Sequence, residues 1–176
     1  PYLVVDIGGG STEFVLGTTY PEAARSVDVG CVRMTERHVR HDPPTLAEVD
    51  AIVTDVDAAI SRAAEAVPLS EARTLVGLAG SVTTAAALAL GLPEYDATVI
   101  HGARIPASEI ARVSDLLLGL DHDGRAALPP MHPGRVDVIN AGVLVLRRIL
   151  DRTGLPEVLV SEHDILDGIA LALAEA

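Results

Sequence analysis

Tyr2-Leu3-Val4-Val5-Asp6-Ile7-Gly8-Gly9-Gly10-Ser11-Thr12-Glu13-Phe14-Val15-Leu16 opens the chain as strand, glycine turn and strand. Apolar, partly β-branched residues run into Asp6-Ile7, three glycines break the run, and a strand-like pattern resumes at Thr12. A third strand is expected at 24–29, after the turn signal at Pro21 and before Gly30. Three antiparallel strands therefore open the domain.

The period then changes. Leu46, Val49, Val53, Val56, Ile60, Ala63 and Val67 recur at three- and four-residue steps, with Thr45 and Glu48 placed as a capping box, which predicts a long amphipathic helix. Residues 74–79 read as a buried strand that ends in Gly80-Ser81 and a small-residue helix to about residue 90. Further on, a strand is expected over 99–105, a helix from Pro106 to 120 and a loop with the makings of a mobile element over 121–134. A buried helix over 135–152, a short strand over 157–160 and a last helix capped by Asp164 and running through 174 complete the reading. Strands first, then strand and helix in alternation, give an α/β fold: one domain, 1–176, with a mixed sheet flanked by helices on both faces.

Composition narrows the function. The 176 residues carry 25 acids against 13 bases, a formal charge of -12, and every base is arginine. With no lysine, a Walker phosphate loop, a Schiff base and a Ser-x-x-Lys acyltransferase are excluded. The acidic balance argues against DNA, whose nonspecific affinity comes from neutralised phosphates. A lone Cys31 builds neither a disulfide nor a thiolate cluster, so a reducing, cytoplasmic setting is expected. No apolar run approaches the roughly 20 residues that span a bilayer. Because Pro1 rather than methionine leads straight into a strand, the chain is expected to be cut from a longer protein.

The chemistry concentrates in Asp6 to Glu13. Gly8, Gly9 and Gly10 permit positive φ, so several N–H groups can converge on one anion, and Ser11 and Thr12 add hydroxyls. Asp6 and Glu13 bracket this cradle across the turn, placed to hold a divalent cation or to orient a nucleophilic water. A cation is called for, since bare carboxylates repel phosphate. A plain glycine hairpin with a strand-capping aspartate explains the same residues without function, but this turn is longer than a hairpin needs and acids flank it. It is not a Rossmann fingerprint, because a strand follows where a helix should begin.

Gly80 and Ser81, at a strand-to-helix turn, offer a second place for a phosphate, ribose or base edge, with tight helix–strand packing and an ordinary N-cap as the competing explanation. Ser161-Glu162-His163-Asp164 sits where the last strand meets the last helix, and helix capping accounts for it almost as well. His38, His41 and Asp42 have metal-like spacing but read as a solvated helix end. His122, His132 and Arg135 bracket the 121–134 loop and could greet a phosphate chain. Cys31 reads as a small core residue. Arg33, Arg37 and Arg40 form a stripe that either reverses the local field or is simply solvated.

These blocks together resemble the exopolyphosphatase and guanosine-pentaphosphate phosphatase family. Asp6 to Glu13 is similar to its second phosphate motif and Gly30 to Arg37 to its Gly-x-x-Arg-x-Thr-Glu segment; Gly77 to Thr84 is similar to its Gly-Gly-Ser/Thr turn. Gly134 to Gly142 matches its Gly-Arg-x-Asp-x-Ile-x-x-Gly segment, and Ser161 to Gly168 its closing Ser-to-Gly block. The resemblance implies a ribonuclease-H-like, actin-like ATPase domain, the second of two that form a cleft. It implies Mg2+ or another divalent cation at Asp6 and Glu13 beside the attacking water, phosphate at Gly8 to Thr12, and Gly80 with Ser81 facing the ligand. Arg33 and Glu162 join as secondary site residues. The implied substrates are inorganic polyphosphate or pppGpp; the first domain, with the glutamate base, is not in this chain, so little turnover is expected from the chain alone. A polyphosphate- or (p)ppGpp-binding module without catalysis and a kinase half using ATP remain as alternatives. An exposed half-cleft leads to an expectation of self-association into a homodimer.

Overall fold

A computed structural model of the chain describes residues 1–164, 167, 168 and 173. The final helix expected from Asp164 onward lies largely outside these residues. Strands β1 (Tyr2–Ile7), β2 (Thr12–Gly17) and β3 (Pro21–Val27) form the antiparallel opening, and β3 starts three residues earlier than expected and ends at Val27. Then come α1 (Cys31–His38), α2 (Leu46–Ala64), β4 (Thr74–Leu78), α3 (Ala79–Ala89), α4 (Ala97–Ile100), β5 (Arg104–Pro106), α5 (Ala107–Gly119), α6 (His122–Ala126), α7 (Ile139–Thr153) and β6 (Glu157–Val160). Short 3-10 turns occupy Leu69–Glu71 and Pro133–Arg135.

The sheet runs β3-β2-β1-β4-β6-β5, with β1, β4 and β6 parallel at its centre and antiparallel partners on either side. Strand parity decides its two faces. Leu3, Val5, Ile7, Phe14, Leu16, Leu75, Val158 and Val160 are buried under α2, α3 and α7. Val4, Asp6, Glu13, Val15, Val76 and Leu78, on the opposite face, are only half-buried. Among the described residues the helices gather on the first face. No helix there is long and apolar enough to cross a membrane.

The predicted α2 forms with its capping box intact: the Thr45 hydroxyl accepts from the Glu48 N–H and the Glu48 carboxylate from the Thr45 N–H. The central helix α7 is buried through its first half and is tied to α2 by a two-pronged ion pair, Arg148 to Asp57, at 3.0 and 2.8 Å.

Two expectations are corrected. Residues 97–100 form a helical turn, because Asp96 caps it through the Thr98 N–H at 2.9 Å, and only Arg104–Pro106 pair as a strand. The 121–134 loop is anchored rather than loose. Arg125, 3% exposed, donates to the carbonyls of Val136 and Leu120 and to the Asp42 carboxylate, so α6 and both loop ends meet on one buried guanidinium. Desolvation is the largest single influence on Asp42 and raises its pKa, but the hydrogen bonds and charges of Arg125 and His122 together outweigh it and hold the pKa below the ordinary carboxylate value.

At the β4–α3 junction Ala79 adopts φ 67°, in the left-handed region where a Cβ crowds the following carbonyl. Ala79→Gly is therefore expected to stabilise the fold by about 1 kcal/mol, the strain relieved outweighing the extra freedom of an unfolded glycine. Urea denaturation checks this; an unchanged or lower midpoint counts against the strain.

Candidate functional site

The glycine turn between β1 and β2 is closed by the Gly8 N–H donating to the Ser11 carbonyl at 3.0 Å. Helix α1 lies against it. The Cys31 N–H donates to the Gly8 carbonyl and the Arg33 N–H to the Gly9 carbonyl, each at 3.0 Å, and Arg33 Nε donates to the Gly10 carbonyl at 2.6 Å. In a planar trans peptide the C=O of one residue and the N–H of the next point in opposite directions. With three successive carbonyls turned toward α1, the amides of Gly9, Gly10 and Ser11 are turned away from it. Among the described residues none of these three has an acceptor. A row of free amides on one side of a turn is an anion cradle.

Gly30 makes this close approach feasible, since a Cβ there would sit 2.6 Å from the carbonyl oxygens of both Gly8 and Gly9. The expectation for the Thr12 hydroxyl is corrected. Thr12 is fully buried and its hydroxyl donates to the Val29 carbonyl at 2.7 Å, so of the two hydroxyls beside the turn only that of Ser11 remains available.

Asp6 and Glu13 are direct partners in the β1–β2 register and project from the half-open face. The Ser26 hydroxyl donates to Glu13 at 2.6 Å and fixes that carboxylate. Burial, then the charges of Glu13 and Asp164, push the Asp6 pKa above the ordinary carboxylate value. The two acids line a cleft of about 400 Å³ with Val4, Val15, Leu78, His163 and Asp164. Their mutual repulsion is what a cation between them would relieve. Among the described residues no group of three or more His, Cys, Asp or Glu side chains forms a closed ligand set. Two carboxylates with open positions suit a hard cation such as Mg2+, which keeps waters and takes phosphate oxygens as its remaining ligands.

The sequence reached the Ser161–Asp164 block but favoured Glu162, and the structure puts His163 and Asp164 in the cleft instead. Glu162 accepts from the Tyr95 hydroxyl, and its N–H donates to His101 Nδ1 at 3.2 Å. The available signal was position: the block follows β6, two strands from β1 on the same parallel ladder.

Gly80 and Ser81 divide in role. Ser81 is buried, and a Cβ on Gly142 of α7 would lie 2.1 Å from its Oγ and 3.0 Å from the Cys31 Cβ. The starts of α1 and α3 thus meet on α7, two positive helix ends beside the glycine turn. Ser81 packs into that contact and is not an N-cap, the cap position being Leu78. Over Gly80 lies the Arg135 guanidinium, so close that any Cβ there would displace it. Arg135 also lines a cavity of about 410 Å³ with Tyr95, His132 and three prolines.

The remaining candidates have partners of their own. His38 and Arg37 meet Asp55, His41 meets Glu48, and Arg40 donates to the last carbonyls of α1. His122 pairs with Asp137 at 2.8 Å. Of the arginine stripe only Arg33 reaches the turn.

The chain matches the model of the Ppx/GppA phosphatase family over residues 1–175. It is 51% identical over 178 residues to exopolyphosphatase 2 of Mycobacterium tuberculosis, covering 99% of this chain and 56% of that protein. Among solved structures, an exopolyphosphatase-like protein superposes with a TM-score of 0.95 at 42% identity, covering 97% of this chain and 58% of that one. A Ppx/GppA family member from Aquifex aeolicus superposes with a TM-score of 0.87 at 28% identity, covering 98% and 56%. The chain spans about half the length of these relatives, and the six-stranded sheet flanked by helices is the actin-like ATPase fold they share. By sequence and by fold, the chain belongs to the Ppx/GppA phosphatase family.

Proposed function

We propose that the chain supplies the second phosphate-binding half of a phosphoanhydride hydrolase that removes terminal phosphate from inorganic polyphosphate, with pppGpp as the alternative substrate. The observation that carries this reading is the turn itself: three unpaired amides at Gly9, Gly10 and Ser11, bracketed by the facing carboxylates Asp6 and Glu13. The amides and the Ser11 hydroxyl hold the terminal phosphate by its oxygens, and Arg135 beside Gly80 meets the chain of phosphates behind it. Asp6 and Glu13 would hold Mg2+, which supplies neutralisation of phosphate charge when bound. An anion entering a protein of net charge -12 with two facing acids at its site needs that neutralisation.

The reaction is attack of water on the terminal phosphorus with loss of the bridging oxygen to the shortened chain. Positioning and electrostatics carry most of such a step. Glu13, fixed by Ser26, orients the water, and the residue that takes its proton belongs to the other half of the cleft. With half a cleft, this chain binds phosphate with little turnover. The one cysteine and the acidic surface suit a reducing, cytoplasmic setting.

The test is Mg2+-dependent phosphate release from long-chain polyphosphate and from pppGpp, comparing this chain with the protein extended by its native N-terminal sequence. Release is expected from the extended protein, with about 1% of that rate or less from the chain alone, since lost catalytic groups cost about 10²-fold or more. If neither protein releases phosphate, the hydrolase reading fails, and binding without release would make the domain a phosphate-sensing module.

A further inference from the structure

We propose that Arg33 is a positioning residue: its guanidinium locks the Gly10–Ser11 peptide in the orientation that presents the Ser11 amide to phosphate. This rests on the turn being the phosphate site. The three carbonyls of the turn are not held alike. Those of Gly8 and Gly9 are bound by backbone amides of α1, which every sequence supplies, whereas that of Gly10 is bound by a side chain, Arg33 Nε, at 2.6 Å. The guanidinium lies along the glycine, with Nη2 3.5 Å from where a Gly10 Cβ would stand and 3.6 Å from Asp28 Oδ1. Arg33 thus fixes Gly9 through its backbone and Gly10 through its side chain.

The consequence follows from peptide geometry. With the Gly10 carbonyl held toward α1, the Ser11 N–H points away from it, alongside those of Gly9 and Gly10. Glycine crosses between the two halves of φ space at little cost, so an unheld Gly10 peptide is free to turn over. Turned over, it offers a carbonyl oxygen where phosphate must sit, replacing an attraction with a repulsion. The specific part of Arg33 is therefore the fixed planar fork that reaches a carbonyl with Nε, which lysine does not reproduce despite equal charge.

The experiment uses Arg33→Lys and Arg33→Ala, with Arg37→Ala as a control that removes the same charge one turn along α1, where Arg37 meets Asp55 rather than the turn. Two readouts are taken on the chain: the amide shift of Ser11 without ligand, and the affinity for tripolyphosphate with Mg2+. Both Arg33 variants are expected to move the Ser11 amide shift and to weaken binding about tenfold, the worth of one charge-assisted hydrogen bond. The control is expected to stay within about twofold, as suits an exposed ion pair. If Arg33→Lys binds like the parent with the Ser11 amide unmoved, the arginine contributes charge alone and the proposal is overturned. If the parent itself binds no tripolyphosphate, the phosphate-site reading fails, while the Ser11 readout still decides whether Arg33 holds the peptide.

Discussion

Asp6→Asn is expected to lower phosphate release by the extended protein about 10³-fold, the scale on which a preorganised electrostatic group acts, while making the fold more stable. The two effects have one cause. Burial and the charges of Glu13 and Asp164 raise the Asp6 pKa in the folded state. The folded chain therefore resists ionising Asp6 more than the unfolded chain does, and at neutral pH, where the group is charged, that resistance subtracts from stability. Asparagine keeps the shape and removes the charge, so the cost disappears, and with it one of the two carboxylates proposed to hold the cation. The difference in melting temperature between variant and parent should be largest above the raised pKa. It should shrink as pH falls through that value and vanish below the ordinary aspartate pKa of about 3.9. By the same sign, cation binding by the parent should fade at a higher pH than for an isolated carboxylate. Thermal melts from about pH 3 to 8, with phosphate release at the upper end, test both limbs. A variant that is less stable at neutral pH, or that keeps its activity, would refute this account of Asp6.

Stability surrendered at a site is a mark of function, and this one was partly legible in the sequence. The strand–glycine–strand opening and the facing of Asp6 and Glu13 follow from a period of two on both sides of the turn, and the register confirms them residue by residue. The same period carries a signal that went unused: Thr12 shares parity with Phe14 and Leu16, and all three are buried, whereas Glu13 lies on the opposite face. Proximity to the glycines alone made Thr12 look like a ligand hydroxyl. Val99 and Ile100 were misread as strand because both are β-branched, a preference that the Asp96 cap overrides. Other features had no local signature at all. The pair Arg125 and Asp42 is 83 residues apart, and Arg33 reaches Gly10 across 23. Such contacts depend on where helices settle on the sheet, which composition and spacing do not encode.

Gly30→Ala is expected to do the greatest damage of any single methyl group near the site. Gly30 has φ -162° and ψ 168°, an extended conformation open to any residue, so the objection to a side chain is steric alone. The added Cβ would lie 2.6 Å from the Gly8 and Gly9 oxygens and from the Gly9 carbonyl carbon. These are backbone atoms with no rotamer to escape into, unlike the Arg135 tip that a Cβ on Gly80 would meet. Either α1 or the turn must move by the better part of an ångström, and the hydrogen bonds from Cys31 and Arg33 to the turn lengthen together. Overpacking of this kind costs about 1–3 kcal/mol. The loss at the site should be larger than that figure suggests, because the same carbonyls orient the amides of Gly9 and Gly10. Tripolyphosphate affinity should fall by about two powers of ten, two disturbed charge-assisted contacts at roughly tenfold each. Urea unfolding and titration of the folded variant separate the two effects, since binding is read only on protein that has folded. Parent-like affinity in a destabilised Gly30→Ala would mean that the turn holds its shape without α1, and the helix would then be a support for the fold rather than the template of the phosphate cradle.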